Sequence, residues 1–309
     1  MMIGLLVLLA CGSPSPPPAA PPPPPPLPAQ VPEPEPEPEP ELAAPEPLPV
    51  QGAAALANQL VEVERTLRDP AHSGPVLDAW GHLQQRIYRA LTRDPALEAE
   101  VLAALPQDLR EVVRLNTAAT RDASGTVTRR RSSLPDWTIA PPTDADTLVG
   151  HYRAAEAETG VQWSVLAAIH LVETRTSRLR GLSHVGARGP MQFMPATWEA
   201  YGEGDIDDDR DAIFAAARYL HARGAPDKLD KALWAYNQSD RYVRAVRGYA
   251  SVLDESPLAY RGYHGWEVWY RTTLGVVWLP VGYSHEATIP VGPYCESHPD
   301  RCPDAPVSP

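Results

Sequence analysis

No stretch of this 309-residue chain is long and apolar enough to cross a bilayer, which takes about 20 consecutive apolar residues as a helix. A basic excess is missing too. The formal net charge is −12, and residues 1–50 hold six glutamates and neither lysine nor arginine. The charge left outside that segment is modest and negative, so there is no electrostatic case for nucleic acid. The three arginines at 129–131 are too short a run to alter this and read as part of a solvated linker. Cysteine is scarce, at three residues. Cys295 and Cys302 lie in a Pro-rich tail without metal-ligand spacing to histidine, which argues against a zinc site. In an exported protein they are candidates for a disulfide closing a small loop.

Proline, in contrast, is abundant at 37 residues and unevenly spread. The opening MMIGLLVLLACG ends in Leu-Leu-Ala-Cys, which resembles the lipobox of bacterial lipoprotein signal peptides. That resemblance implies residues 1–10 as a signal peptide and lipid on Cys11, with a membrane as partner. Its apolar run is too short to anchor the chain by itself, whereas several acyl chains on one cysteine would hold. Gly12 after the cysteine is compatible with sorting to the periplasmic face of an outer membrane. Residues 11–51 continue into a proline run and EPEPEPEPE, a composition that cannot bury a core and predicts a disordered linker, partly polyproline II. At about 3.1 Å per residue it could reach on the order of 100 Å as a spacer.

Beyond the spacer the pattern is mainly α. Residues 52–119 are rich in Ala, Leu, Glu and Arg at helical spacing, broken at Asp69-Pro70, Gly74-Pro75, Asp94-Pro95 and Pro106, and predict three or four short helices forming a small bundle. Residues 120–142 read as a linker. A longer helical region spans 143–283, with a capping pattern at Thr143 and Asp146, a stop at Gly160, and Asp208 or Asp209 capping a helix that Gly224 ends. Strand signals appear only near Glu267–Trp278, and 284–309 reads as a Pro-rich tail. Phenylalanine is nearly absent, with two against eight tryptophans and twelve tyrosines, and eighteen of those twenty rings follow residue 132. Such rings stack on sugar faces, although small helical domains also use them at half-buried positions.

The stretch VLAAIHLVET, residues 165–174, places Glu173 on the helical stripe of Val165, Leu166, Ile169 and Val172. A carboxyl among such neighbours has its neutral form favoured by desolvation, as a general acid requires, unless Arg175, Arg178 or Arg180 neutralises it. Gly186, Gly189 and Pro190 mark a turn into Met191-Gln192-Phe193-Met194, followed by Pro195 in a helix's first turn. Taken together, VETRTSRLRGLSHVGARGPMQFMPATWEAYG, AARYL and AYNQSDRYVRAV resemble, in order and spacing, the catalytic domain of bacterial lytic murein transglycosylases with the lysozyme-like fold, over roughly residues 140–250. The resemblance implies Glu173 as catalytic acid and base. It implies saccharide contacts from Gln192 and Met194, and from Thr174 and Ser183 as hydroxyls near the acid. Tyr219 should point its hydroxyl at the acid, and Tyr236 and Asn237 match the family's Tyr-Asn. Gly-Pro-Met-Gln replaces the usual Gly-Leu-Met-Gln, and Gln238-Ser239 replaces Ala-Gly.

The implied partner is the glycan strand of peptidoglycan, cut between N-acetylmuramic acid and N-acetylglucosamine with 1,6-anhydro ends and no cofactor. A muramidase drawing a second carboxylate from 205–211 is one alternative, and a non-catalytic peptidoglycan-binding lipoprotein is another. The acidic run 205–211 lacks the glycine and distal glutamate of a calcium loop and reads as a capping turn rather than a metal site.

Overall fold

The computed structural model describes residues 42–45, 52–127 and 129–302. Cys11 and nearly all of the spacer lie outside them. The punctuation residues of the sequence act as expected at several helix ends. Asp94 accepts from the backbone N–H groups of Ala96 and Leu97, with Pro95 in the first turn, and so starts α3 (Pro95–Ala104) after α1 (Ala53–Arg68) and α2 (Val76–Arg93). Asp144, rather than Thr143, caps α5 (Ala145–Thr159) by accepting from Thr147 N, and Gly160 ends that helix at φ 75°. Asp208 caps α8 (Asp209–Ala222).

Residues 120–142 are not a linker. Helix α4 (Gln107–Thr126) runs through the first of them, carrying the buried stripe of Val112, Val113 and Ala119 on to Thr120, with its last turn only half-buried. Further on, β1 (Ser133–Leu134) and β2 (Thr138–Ile139) add short strands. Nor do the helices of 52–119 form a separate bundle. Helix α4 lies against α10 (Asp240–Glu255) so closely that a Cβ on Gly248 would sit 2.9 Å from that of Ala119. Polar bonds cross the same seam: Tyr263 Oη donates to Asn116 Oδ1 at 2.6 Å, and Trp266 Nε1 donates to Gln84 Oε1 at 2.9 Å. Leu60, Ile87, Tyr88, Val113, Leu166, Ile169, Val246 and Trp266 therefore belong to one apolar core.

A second, smaller core holds the strands. The hairpin of β4 (Val268–Thr272) and β5 (Gly275–Leu279) packs Val268, Val277 and Leu279 against Leu134, Ile139, Tyr283 and Val291. Part of the expected tail joins it. β6 (Ile289–Pro290) pairs with β1, and a disulfide joins Cys295 of α12 (Val291–Ser297) to Cys302, with Cα atoms 5.6 Å apart. β2 pairs with β3 (Leu179–Arg180), so this layer grips the chain a few residues after Glu173.

Candidate active site

Glu173 is the penultimate residue of α6 (Trp163–Thr174), whose residues from Trp163 to Leu171 are all buried. The helix is thus buried on every side, not along one stripe, and only its last turn, with half-buried Val172 and Glu173, reaches open space. Burial pushes the Glu173 carboxyl up to about 7, opposed by a hydrogen bond from Tyr242 and by the charge of Arg175. None of the three flanking arginines forms an ion pair with it. Arg175 donates to Leu171 O, and Arg178 donates to His264 O with Asp78 3.8 Å away. The group is placed to hold a proton near neutral pH.

The hydroxyl that reaches the acid is that of Tyr242, which donates to Glu173 Oε1 at 2.8 Å. Tyr219 does not; its hydroxyl donates to Ala235 O at 2.8 Å, because α8 carries that ring to the end of α9 (Leu229–Tyr236) instead. Tyr219 meets Tyr236 edge to face at 5.6 Å, and Tyr236 stacks on Tyr242 at 6.2 Å with nearly parallel rings. Ser239 explains why Tyr242 is there. Where the family has a glycine, this serine caps α10 and accepts from Tyr242 N at 3.4 Å, starting the helix so that its first turn brings the tyrosine to the acid.

The Gly-Pro-Met-Gln turn is tied down from two helices. Thr174 is buried and donates to Pro190 O at 2.7 Å, while Tyr236 donates to Met191 O at 2.7 Å. Thr174 therefore anchors the turn and does not face the open side, which corrects its expected role as a substrate contact. Gln192 is half-buried at φ 50°, and its amide donates to Gly189 O at 3.0 Å. Gly189 is required: at φ 79° it lies so close to the acidic turn that a Cβ would stand 2.0 Å from Ile206 O. Met194 is 43% exposed just beyond Gln192 and leads into α7 (Pro195–Tyr201). Ser183 is engaged in its own loop, accepting from Ala187 N at 2.9 Å, and Asn237 is exposed where α9 ends. The sequence thus pointed to Arg175 as a charge near the carboxyl but gave no sign of Tyr242. A tyrosine in an amphipathic helix carries no mark separating it from core, and only the cap at Ser239 hints at its placement.

The carboxylates of 205–211 are occupied. Asp207 accepts from Arg188, Asp208 caps α8, Asp209 accepts from Ser177 and Thr143, and Asp211 accepts from Asp205 N at 3.0 Å. No group of His, Cys, Asp and Glu among the described residues is arranged to hold a metal.

A mainly helical fold with one proton-holding carboxyl at the end of a buried helix, beside a Gly-rich turn and stacked tyrosines, defines a lysozyme-like domain. Residues 151–258 match the family of the transglycosylase SLT domain. Two relatives, each called membrane-bound lytic murein transglycosylase F, come from Thiobacillus denitrificans, 31% identical over 168 residues, and Nitrosospira multiformis, 30% identical over 147. The first match takes in 52% of this chain and 33% of the relative, the second 45% and 28%, so the chain spans about a third of their length. No solved structure matches it.

Proposed function

We propose that the protein is a peptidoglycan lytic transglycosylase. Glu173 protonates the glycosidic oxygen between N-acetylmuramic acid and N-acetylglucosamine, and the bond from the muramyl anomeric carbon to that oxygen breaks. The resulting carboxylate takes the proton of the muramyl 6-hydroxyl, whose oxygen bonds to the anomeric carbon. The product carries a 1,6-anhydro ring, and Glu173 ends protonated as it began. The observation that carries this reading is the half-buried Glu173 held near neutrality, while the aspartates nearest in the motif order are engaged in capping and ion pairs. Glycosidases that use water commonly pair two carboxyl groups across the bond.

On purified sacculi, Glu173→Gln is expected to keep the fold and to lower release of anhydro-muropeptides by at least about a thousandfold, as for loss of the one proton donor. Mass spectrometry checks it. Products heavier by one water would place the protein with the muramidases, and sacculus binding without turnover would make it a binding protein. Attachment through lipid on Cys11 belongs to the same proposal, supported by the word membrane-bound in both relatives' names. No helix among the described residues is long and apolar enough to cross a membrane. Cys11→Ala should therefore move the protein from the membrane to the soluble fraction on fractionation.

A further inference from the structure

Directly after the acid's helix, Arg175, Thr176 and Ser177 adopt φ of 56°, 55° and 68° in succession. Three consecutive left-handed residues, none of them glycine and one β-branched, are strained backbone that persists only where the surroundings impose it. The surroundings here are specific. Thr176 and Ser177 are buried, Arg178 N donates to Arg175 O at 3.2 Å, and Ser177 N donates to Thr174 Oγ1 at 3.2 Å. From outside, the Ser177 hydroxyl donates to Asp209 Oδ1 in the first turn of α8. The other oxygen of Asp209 accepts from Thr143. Fully buried His170 completes the arrangement. Its Nδ1 accepts from Tyr152 at 2.7 Å, which leaves its Nε2–H to donate to Ser177 Oγ at 2.7 Å. Burial keeps the imidazole neutral, with its pKa pushed down to about 4 against the opposing charge of Asp209.

We propose that Ser177 and Asp209 are positioning residues for Glu173: they pin the left-handed turn that ends α6 and thereby set where Arg175 stands relative to the acid. The inference rests on the transglycosylase reading only for its activity readout. Groups facing Glu173 are Tyr242 on α10, Tyr236 at the end of α9 and Arg175 from the turn itself, and of these Arg175 alone is a cation. Asp209 is not among the charges acting on Glu173. If the turn relaxes, the carboxylate loses its cation and its protonation shifts to higher pH.

The test follows the Glu173 carboxyl directly by NMR titration of the carbon-13 labelled protein, alongside kcat and KM on sacculi over pH 5 to 9. Ser177→Ala is expected to raise the Glu173 pKa by at least half a unit, to carry the alkaline limb of the rate profile with it, and to lower kcat about fivefold or more with KM within twofold. Ser177→Gly, which accepts the left-handed conformation freely, should lie closer to wild type than Ser177→Ala in both readouts. Asp209→Asn, which keeps one accepting oxygen for two donors, should fall between and serves if the alanine variant does not fold. A lower melting temperature with unchanged titration and unchanged kcat in Ser177→Ala and Asp209→Asn would overturn the proposal, leaving those bonds purely structural. Wild type that releases no anhydro products would instead defeat the activity reading, while the titration still decides the positioning question.

Discussion

Glu173 illustrates how one side chain can couple function to stability through its surroundings. Its carboxyl titrates at about 7 in the folded protein, against an ordinary value of 4.5. Between those values the native state binds the proton and the unfolded chain does not, so stability declines as pH rises through that window and is level below it. Glu173→Gln removes the titration. The variant should match wild type in thermal unfolding below pH 4.5 and exceed it by roughly 1–3 kcal/mol above pH 7, a range reduced for the partial exposure of the site. Equal melting curves at pH 8 would show that the carboxyl is not perturbed. The proposed activity, which needs the carboxyl protonated first, should instead hold across that window and fall as pH rises through about 7. At this scale the acid was legible in the sequence, because a glutamate within an apolar helical pattern is conspicuous. Its partner was not: Tyr219 and Tyr242 are both tyrosines on amphipathic helices, and choosing between them depends on how α8 and α10 are rotated and capped.

Helix α2 meets α11 (Tyr260–His264) with almost no space between backbones. A Cβ on Gly81 would lie 2.4 Å from Gly262 O and 2.9 Å from the Cα of Gly265, atoms that cannot rotate away. Gly81→Ala should gain a little helix propensity yet lose about 1–3 kcal/mol overall through overpacking, read as a lower denaturant midpoint at unchanged slope. A midpoint at or above wild type would mean that the helices separate at no cost. Elements were the most legible level of this sequence. Asp94-Pro95, Gly160 and Asp208 mark helix ends by chemistry that works within a few residues, and the β4–β5 hairpin falls where the strand signal lies. The exceptions are instructive. α4 outruns its expected end, and β1, β2 and β6 are two-residue strands too short for any periodic signal.

For the whole molecule, the decisive fact is the shared core. Tyr249, Tyr263 and Trp266 pack on one another at 5.1–5.6 Å, while their polar atoms bond Thr120, Asn116 and Gln84 of the N-terminal helices. A fragment holding only residues 143–302 would expose these rings and leave their polar groups unpartnered, at about 1–3 kcal/mol for each such group. It should be insoluble or lack a cooperative unfolding transition, whereas residues 52–302 should unfold in one step. A soluble, cooperatively folded and active 143–302 fragment would show that the matched domain stands alone.

By itself the sequence determined the mainly helical class, several caps and stops, the carboxyl of Glu173 within an apolar helical pattern and the Gly-rich turn that follows it. These depend on local spacing and on residue types whose physical preferences act within a turn or two of the chain. Only the tertiary structure decided that residues 52–127 complete the core, that Thr174 and Tyr236 anchor the turn, that the aspartates of 205–211 are occupied, and that Tyr242 reaches the acid. Each of those joins side chains far apart in the chain, and their meeting is set by how helices pack and rotate, which no local pattern encodes.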